Sequence, residues 1–292
     1  MTSPQSEPPV NLASLSEEQL LDFMRLNPYR ADGYAQLAEL AFRRKRHEAA
    51  AEHLEKALAI EPDQPRYRER AARCYESFGR HDKASEHFAR LVALRPDAVA
   101  FNEWGISLCR QGKYQEAIPA FADAVRLNKD LALAHNNWGN ALANLSRLDD
   151  AVWQYRRALE PRPTYTQALN GLGMTLGRLG RAEEAITALQ QARRIDPKHA
   201  DAACNLAALL REQNRLDEAA ACFSDAVRLR PKSPEPRFQL ALTLARQGKH
   251  TAAIEQLLIR RYGRVQQQRE AVLAELAAPQ VREPGEHAIV GT

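Results

Sequence analysis

The sequence predicts an all-α protein built as a solenoid of antiparallel helix pairs, and three observations support this prediction. A pattern of 34 residues recurs along most of the 292-residue chain. In its clearest copy, residues 132–165, two helical patterns flank a polar turn and end at Pro161 and Pro163. Such helix pairs cannot bury their apolar faces alone, so each pair must stack on the next one.

Composition and charge narrow the classes of function. Lysine plus arginine exceeds aspartate plus glutamate by 41 − 37 = 4, and the two signs are interspersed, so we expect no nucleic-acid partner. The four cysteines lack CxxC spacing and are expected to be small buried residues in a reducing compartment. The sequence shows neither an export signal nor an apolar run long enough for a bilayer. We therefore expect a cytoplasmic protein with no membrane insertion.

The first predicted element is a helix that covers the first repeat. Residues 1–13 are polar and proline-rich, and we expect them to be disordered. Ser16 and Gln19 have the spacing of a capping box. An apolar stripe follows at helical spacing: Leu20, Phe23, Met24 and Leu26. Residues 14–27 are therefore predicted to form a half-repeat capping helix.

Seven rows of the repeat follow, each with a first and a second helix. In order they are residues 31–64, 65–97, 98–131, 132–165, 166–199, 200–233 and 234–263. Residues 264–278 are predicted to form a C-terminal capping helix after Gly263, because terminal repeats need a polar-backed cover. Residues 279–292 are predicted to be a disordered tail.

Four columns of residues recur at the row spacing. The first column is Ala50, Ala84, Ala117, Ala151, Ala185, Ala219 and Ala253. The second is Leu54, Phe88, Phe121, Tyr155, Leu189, Phe223 and Leu257. The third is Ala57, Leu91, Ala124, Ala158, Ala192 and Ala226, and the fourth is Pro62, Pro96, Lys129, Pro163, Pro197 and Pro231. The recurring small residues predict the closest helix approaches.

These columns resemble the tetratricopeptide repeat, a 34-residue unit of the form W-x2-L-G-x2-Y, then A-x3-F, then A and P. The resemblance covers about residues 16–263, with departures at Lys129 and Arg260. It implies a right-handed α-solenoid superhelix of about seven units. It also implies that the first helices line the concave side, where members of this family bind extended peptides.

Two further features concern packing. Gly105, Gly139 and Gly173 replace an alanine that other rows have, and we expect close helix contact there because glycine disfavours a helix interior. Pro161 falls in the last turn of the second helix of row 4, and we expect it to shorten that helix.

The sequence offers no catalytic or metal-binding set of residues. The glycines of GLGMTLGRLG at 171–180 fall inside and after a helix, whereas a dinucleotide loop opens a helix after a strand. His53 and His87 lie in sequences that resemble a zinc motif, but the spacing places the paired ligands on different helix faces. We predict solvated histidines, no enzyme activity and no cofactor.

The asparagines of the first helices are the candidate binding residues. Asn102, Asn136 and Asn170 recur at 34 residues, and Asn136, Asn140 and Asn144 follow helical spacing. An amide both donates and accepts, so a ladder of amides can hold the backbone of an extended chain. The predicted peptide-binding residues are Asn102, Asn136, Asn137, Asn140, Asn144, Asn170, Asn205, Arg110 and Arg178.

AHNNWGNAL is similar to repeats of O-linked N-acetylglucosamine transferases, in which such a ladder holds protein substrates. The catalytic region of those enzymes has no counterpart in these 292 residues. Asparagine at the position of Asn137 is also common in the repeat family, so a purely structural role is the competing interpretation. The arginines that end the first helices, Arg110, Arg178 and Arg246, either attract acidic partners or form a solvated rim.

Three hypotheses of function follow. The first is a non-catalytic scaffold that binds a peptide or protein segment in the concave groove. The second is a subunit that recruits substrates for a separate enzyme, such as a glycosyltransferase. The third is self-association through an outer face marked by Trp153.

Overall fold

The computed structural model describes residues 11–258, and the regular structure of this range is helical without strands. The chain divides into two compact units, Met1–Pro163 and Thr164–Thr292. The all-α solenoid prediction is confirmed, because each unit consists of helix pairs that pack in sequence order. The predicted C-terminal capping helix at 264–278 and both predicted terminal tails, apart from residues 11–13, lie outside the described residues.

In the first unit, each helix packs on the next one along the chain. The helices are α1 Glu17–Leu26, α2 Ala31–Arg43, α3 His47–Ile60, α4 Pro65–Ser77, α5 His81–Leu94, α6 Ala98–Arg110, α7 Tyr114–Leu127, α8 Ala132–Asn144 and α9 Leu148–Leu159. Connections of a few residues force antiparallel neighbours.

The second unit repeats this construction. Its helices are α10 Thr166–Arg178, α11 Ala182–Ile195, α12 Ala200–Glu212, α13 Leu216–Leu229, α14 Pro234–Arg246 and α15 His250–Leu258. Every predicted row from 31–64 to 234–263 thus contains one helix pair within the described part of the chain. None of the described helices is long and apolar enough to cross a membrane.

The start of the chain differs in part from the prediction. Ser16 caps α1 with the predicted capping box, and Leu20 and Met24 are buried. Leu26, in contrast, is exposed, because it lies at the last position of the helix and on its outer side. Leu12–Ser14 forms a 3-10 helix with Leu12 buried, although this segment was expected to be disordered up to residue 13.

The recurring columns form the cores of both units. All seven alanines of the first column, from Ala50 to Ala253, have 0% exposure, and the large side chains of the second column lie beside them. Glycine replaces alanine where the second-column side chain needs the space. A β-carbon at Gly105 would lie 2.5 Å from Cε1 of Phe121, and one at Gly139 would lie 2.8 Å from Cε1 of Tyr155.

The turn inside each row also recurs. Its central residue has a positive φ in every row: Lys45, Gly79, Gly112, Ser146, Gly180, Asn214 and Gly248. This left-handed conformation ends the first helix and is easiest for glycine. Gly180 therefore belongs to a turn and Gly173 to a helix interior, as expected for the GLGMTLGRLG segment.

Two prolines affect second helices in the first unit. The helix α9 has 12 residues whereas α7 has 14, so the shortening expected from Pro161 is confirmed. Pro119 lies inside α7, a feature that the sequence patterns did not reveal. It has no N–H for the carbonyl of Gln115, and it is exposed, where water can serve that carbonyl instead.

Candidate functional site

One stripe of residues is accessible on the first helices of rows 3 and 4 in the first unit. On α8 the stripe consists of Leu133, Asn137, Asn140 and Asn144, and on α6 of Val99, Glu103, Ile106 and Arg110. These positions follow the spacing i, i+4, i+7, i+11, which defines a single helix face. Because α6 and α8 are in contact, their stripes form one continuous surface.

Asn102 and Asn136 lie beneath this surface. They are only 1% and 5% exposed. The Asn137 amide Nδ2 donates to Oδ1 of Asn102 across 3.0 Å and so joins α8 to α6. The Asn136 amide Nδ2 lies 3.4 Å from Oδ1 of Asn137, while Oδ1 of Asn136 has no hydrogen-bond partner in the described structure. Asn102 is therefore bonded to a neighbouring helix, whereas the hydrogen bond of Asn136 stays within α8.

Asn140 and Asn144, in contrast, are exposed and oriented by other groups. The Tyr155 hydroxyl donates to Oδ1 of Asn140 across 2.7 Å. Nδ2 of Asn144 donates to the backbone carbonyl of Asn140 across 2.8 Å. Asn140 is left with its amide N–H groups as donors, and Asn144 with its carbonyl oxygen as an acceptor.

These exposed amides border a cavity of about 250 Å³ between α6 and α8, which we call the amide cavity. Its apolar lining consists of Ile106, Cys109, Tyr114, Phe121 and Ala141. Its polar lining consists of Asn137, Asn140, Asn144 and Arg110, all of them predicted binding residues. Burial raises the pKa of the Cys109 thiol to about 11, so this thiol stays uncharged at neutral pH.

The apolar lining of the amide cavity was missed in the sequence, although the row spacing contains the signal. Ile106 lies 34 residues before Asn140 and occupies the same position of the preceding first helix. An apolar residue at the place of an exposed amide could therefore have indicated a neighbouring apolar surface.

Arg110 is held at the rim of the amide cavity by an ion pair with Glu76. The other partner of Glu76 is His81, whose Nδ1 lies 3.2 Å from Oε2. A guanidinium group has five N–H donors, so Arg110 can contact a further acceptor while it keeps Glu76.

The second unit contains a related amide pair. Nδ2 of Asn205 on α12 donates to Oδ1 of Asn170 on α10 across 2.9 Å, at the same 35-residue separation as Asn137 and Asn102. Both asparagines are half-buried. Arg178 and Arg246 are exposed at the ends of α10 and α14.

Trp153 lies on the outer side of α9 and is 57% exposed. The guanidinium carbon of Arg157 lies 5.8 Å from the centre of its ring. An arginine over an indole face forms a cation–π contact. The structure thus places Trp153 away from the amide cavity, on the second helix of the row.

The histidines differ from the prediction of solvated side chains. His87 is 6% exposed, and its Nε2 donates to Oε1 of Glu55 across 3.0 Å. His53 is half-buried, and burial lowers its pKa below the usual value. The prediction was wrong for His87 because the ring of Tyr75 on α4 stacks on it and shields it from water. Within residues 11–258, no cluster of three or more His, Cys, Asp or Glu side chains is suited to a metal ion.

Comparison with known families identifies the repeat. A model described as tetratricopeptide repeat matches residues 102–166, 170–234 and 209–264, and a second model with the same description matches residues 41–101. The chain therefore belongs to the tetratricopeptide-repeat family. No curated protein sequence matches it at a significant level.

Solved structures share the fold. YrrB, described as a TPR protein with an unusual peptide-binding site, has a TM-score of 0.55 and 24% identity over 64% of this chain and 97% of its own. MamA from Desulfovibrio magneticus has a TM-score of 0.52 and 22% identity over 60% and 96%. The C-terminal part of a TPR repeat-containing protein from Cytophaga hutchinsonii has a TM-score of 0.62 and 16% identity over 79% and 97%. At these sequence identities, the similarity to the solved structures shows a shared fold and nothing more.

Proposed function

We propose that this protein is a non-catalytic scaffold that binds an extended segment of a partner protein across the first helices of rows 3 and 4. The observation that carries the proposal is the amide cavity, where Asn137, Asn140, Asn144 and Arg110 surround an apolar floor. A peptide is the expected class of ligand, because YrrB, another TPR protein, has a peptide-binding site.

The exposed amides complement a peptide backbone. Asn140 offers a donor and Asn144 an acceptor one helical turn apart, and each peptide unit carries one acceptor and one donor. Backbone contacts of this kind do not depend on the ligand's side chains. The apolar floor supplies side-chain selectivity, because it can take one apolar side chain from water.

The buried asparagines have a supporting role in this proposal. The hydrogen bond from Asn137 to Asn102 positions the Asn137 side chain at the cavity wall. Asn102 and Asn136 then act through Asn137 rather than through the ligand. We propose the same division for Asn170 and Asn205 in the second unit, where one amide pair is also present.

The test uses the full chain and a displayed library of random 12-residue peptides. Enriched peptides are synthesised, and their Kd is measured by fluorescence anisotropy for the wild type and for Asn140→Ala with Asn144→Ala. We expect Kd to rise about tenfold or more, because two hydrogen bonds contribute about 0.5–1.5 kcal/mol each. Asn144→Ala alone should retain part of the affinity, and it removes no partner from Tyr155.

The matched control is Gln115→Ala with Gln190→Ala, which removes two exposed amides from second helices. Its Kd should equal that of the wild type. Failure to enrich any peptide, or equal binding by the asparagine double variant and the wild type, would refute the proposal. Recruitment of substrates for an enzyme on another chain would use the same surface.

A further inference from the structure

A second cavity in the first unit occupies the equivalent place two rows earlier. It has a volume of about 270 Å³ and lies between α2 and α4. Six of its seven lining residues precede a lining residue of the amide cavity by 67 positions, the sum of one 34-residue and one 33-residue row. Leu54 thus corresponds to Phe121, Arg70 to Asn137 and Arg73 to Asn140. We call it the arginine cavity.

The arginine cavity keeps the apolar character of its counterpart. Leu54 lies at its floor, and the exposed ring of Phe42 forms one wall. Burial raises the pKa of the Cys74 thiol to about 11, so this lining residue is uncharged at neutral pH. An apolar side chain therefore finds similar surroundings in both cavities.

The polar lining, in contrast, has changed from amides to guanidinium groups. Arg70 forms an ion pair with Glu39, and Nε of Arg43 donates to the same carboxylate across 2.8 Å. One carboxylate is therefore shared by two arginines. Since each guanidinium group has five donors, N–H groups of both remain for another acceptor.

A second shared carboxylate belongs to Glu69 on α4. Oε1 of Glu69 is 3.0 Å from Arg73, and Oε2 is 3.0 Å from Arg95. Glu103 is a further acidic group that interacts electrostatically with Arg73, and burial raises the pKa of Glu103. Arg66 is exposed one turn before Arg70 on the same helix.

The charges around the arginine cavity do not balance. Four guanidinium groups, those of Arg43, Arg70, Arg73 and Arg95, interact with three carboxylates, those of Glu39, Glu69 and Glu103, which leaves 4 − 3 = +1. The amide cavity has no such excess, because its one arginine is paired with Glu76. An anionic group of a ligand therefore complements the arginine cavity and gains nothing comparable at the amide cavity.

We infer that the arginine cavity is a second subsite for the same extended protein segment, and that it takes an apolar side chain flanked by an aspartate or glutamate. This inference rests on the proposed function. Neighbouring helix axes lie about 8–10 Å apart, so anchors two rows apart are separated by roughly 20 Å. An extended chain covers that distance with about six residues.

The test is a double-mutant cycle on the full chain. Random 16-residue peptides are selected against the wild type, and one enriched peptide is compared with its Glu→Gln analogue. We expect the analogue to bind the wild type about threefold or more weakly, the size of a partly exposed ion pair. With Arg73→Gln the two peptides should bind equally, because the partner of the acidic side chain is missing.

Arg90→Gln is the matched control, since Arg90 is an exposed arginine on the second helix α5. It should keep the full difference between the two peptides. The inference is overturned if enriched peptides show no preference for acidic residues, if Arg73→Gln keeps the difference, or if single-stranded poly(U) RNA displaces the peptide and binds more tightly.

The two proposals fail in different ways. If the asparagine double variant lowers the affinity for the peptides and Arg73→Gln leaves it unchanged, the proposed function stands and the second subsite is refuted. If neither set of substitutions changes the affinity, both the proposed function and the second subsite are refuted.

Discussion

A single carboxylate joins three helices in rows 1 and 2. Oε1 of Glu55 on α3 accepts hydrogen bonds from the Tyr75 hydroxyl on α4, across 2.8 Å, and from Nε2 of His87 on α5. The rings of Tyr75 and His87 stack with centres 5.5 Å apart. The hydrogen bond from His87 is the main reason that the pKa of Glu55 lies below its usual value of 4.5.

This lowered pKa predicts an acid-dependent loss of stability. Because the folded state favours the ionised carboxylate, Glu55 stabilises the protein fully above about pH 4.5 and loses this contribution as pH falls through the folded pKa. The free energy of unfolding of Glu55→Gln should therefore lie below that of the wild type at pH 6 and approach it near pH 3. Urea unfolding at both pH values measures the difference.

Glu52→Gln is the control, because Glu52 is exposed on the same helix. It should follow the wild-type dependence on pH. A constant difference between Glu55→Gln and the wild type across this range would contradict the assignment.

At the residue scale, the sequence identified the candidate binding residues but did not separate the exposed ones from the buried ones. Asn102 and Asn136 share one column, and both proved buried, whereas Asn140 on the same helix is exposed. Residues of one column share a helix face, but their exposure depends on how closely the next first helix approaches. His87 shows the same limit, since its burial comes from Tyr75 on another helix.

At the scale of helices, close packing and helix propensity act in opposite directions at Gly105. Alanine favours a helix interior by about 1 kcal/mol over glycine, but its β-carbon would meet the fully buried ring of Phe121. We expect Gly105→Ala to lower the free energy of unfolding by about 1–3 kcal/mol, the usual cost of overpacking. Chemical denaturation measures this change.

Row 1 provides the compensating substitution. It combines Ala38 with Leu54 where row 3 combines Gly105 with Phe121. Adding Phe121→Leu to Gly105→Ala should therefore cost less than the two single substitutions together. A midpoint of unfolding that rises in Gly105→Ala would show that helix propensity dominates.

Most helices could be predicted from the spacing of small and apolar residues, including the shortened α9 before Pro161. Pro119 was not predictable as a helix-interior residue, because proline normally ends or kinks a helix and the pattern around it gives no sign of tolerance. The turn at Lys45 is another case. Its φ of 58° follows from its equivalence to Gly79 and Gly112 rather than from its own preference.

At the scale of the whole molecule, helices of each unit contact mainly their neighbours in sequence. A destabilising substitution in such a solenoid has a local effect, because the stability is a sum of the stabilities of single repeats and of the interfaces between neighbouring repeats. We expect Ala151→Leu, at a site with 0% exposure, to cost about 1–3 kcal/mol by overpacking. In hydrogen exchange, protection should fall mainly in α7, α8 and α9.

The comparison variant is Ala219→Leu in the second unit, where protection should fall mainly in α12, α13 and α14. Equal loss of protection along the whole described chain in either variant would indicate a single cooperative structure instead. An unchanged free energy of unfolding in both would contradict the assignment of the first alanine column to the core.

The fold of each unit was predictable because one pattern repeats and every copy reports on the same packing. The two cavities were not predicted, although the 67-residue relation between Arg73 and Asn140 is present in the sequence. The sequence does not show that Glu39 and Glu69 each form ion pairs with two arginines, since those pairs depend on side-chain positions across helices.

The amide pairs fix the axial alignment of the helices that they join. A slip of α8 by one helical turn along α6 would move Asn137 by about 5.4 Å, out of reach of Asn102. The buried Asn102 oxygen would then lose its donor, at a cost of about 1–3 kcal/mol. Apolar contacts tolerate sliding, whereas this hydrogen bond permits one alignment. The same holds for α10 and α12 through Asn170 and Asn205.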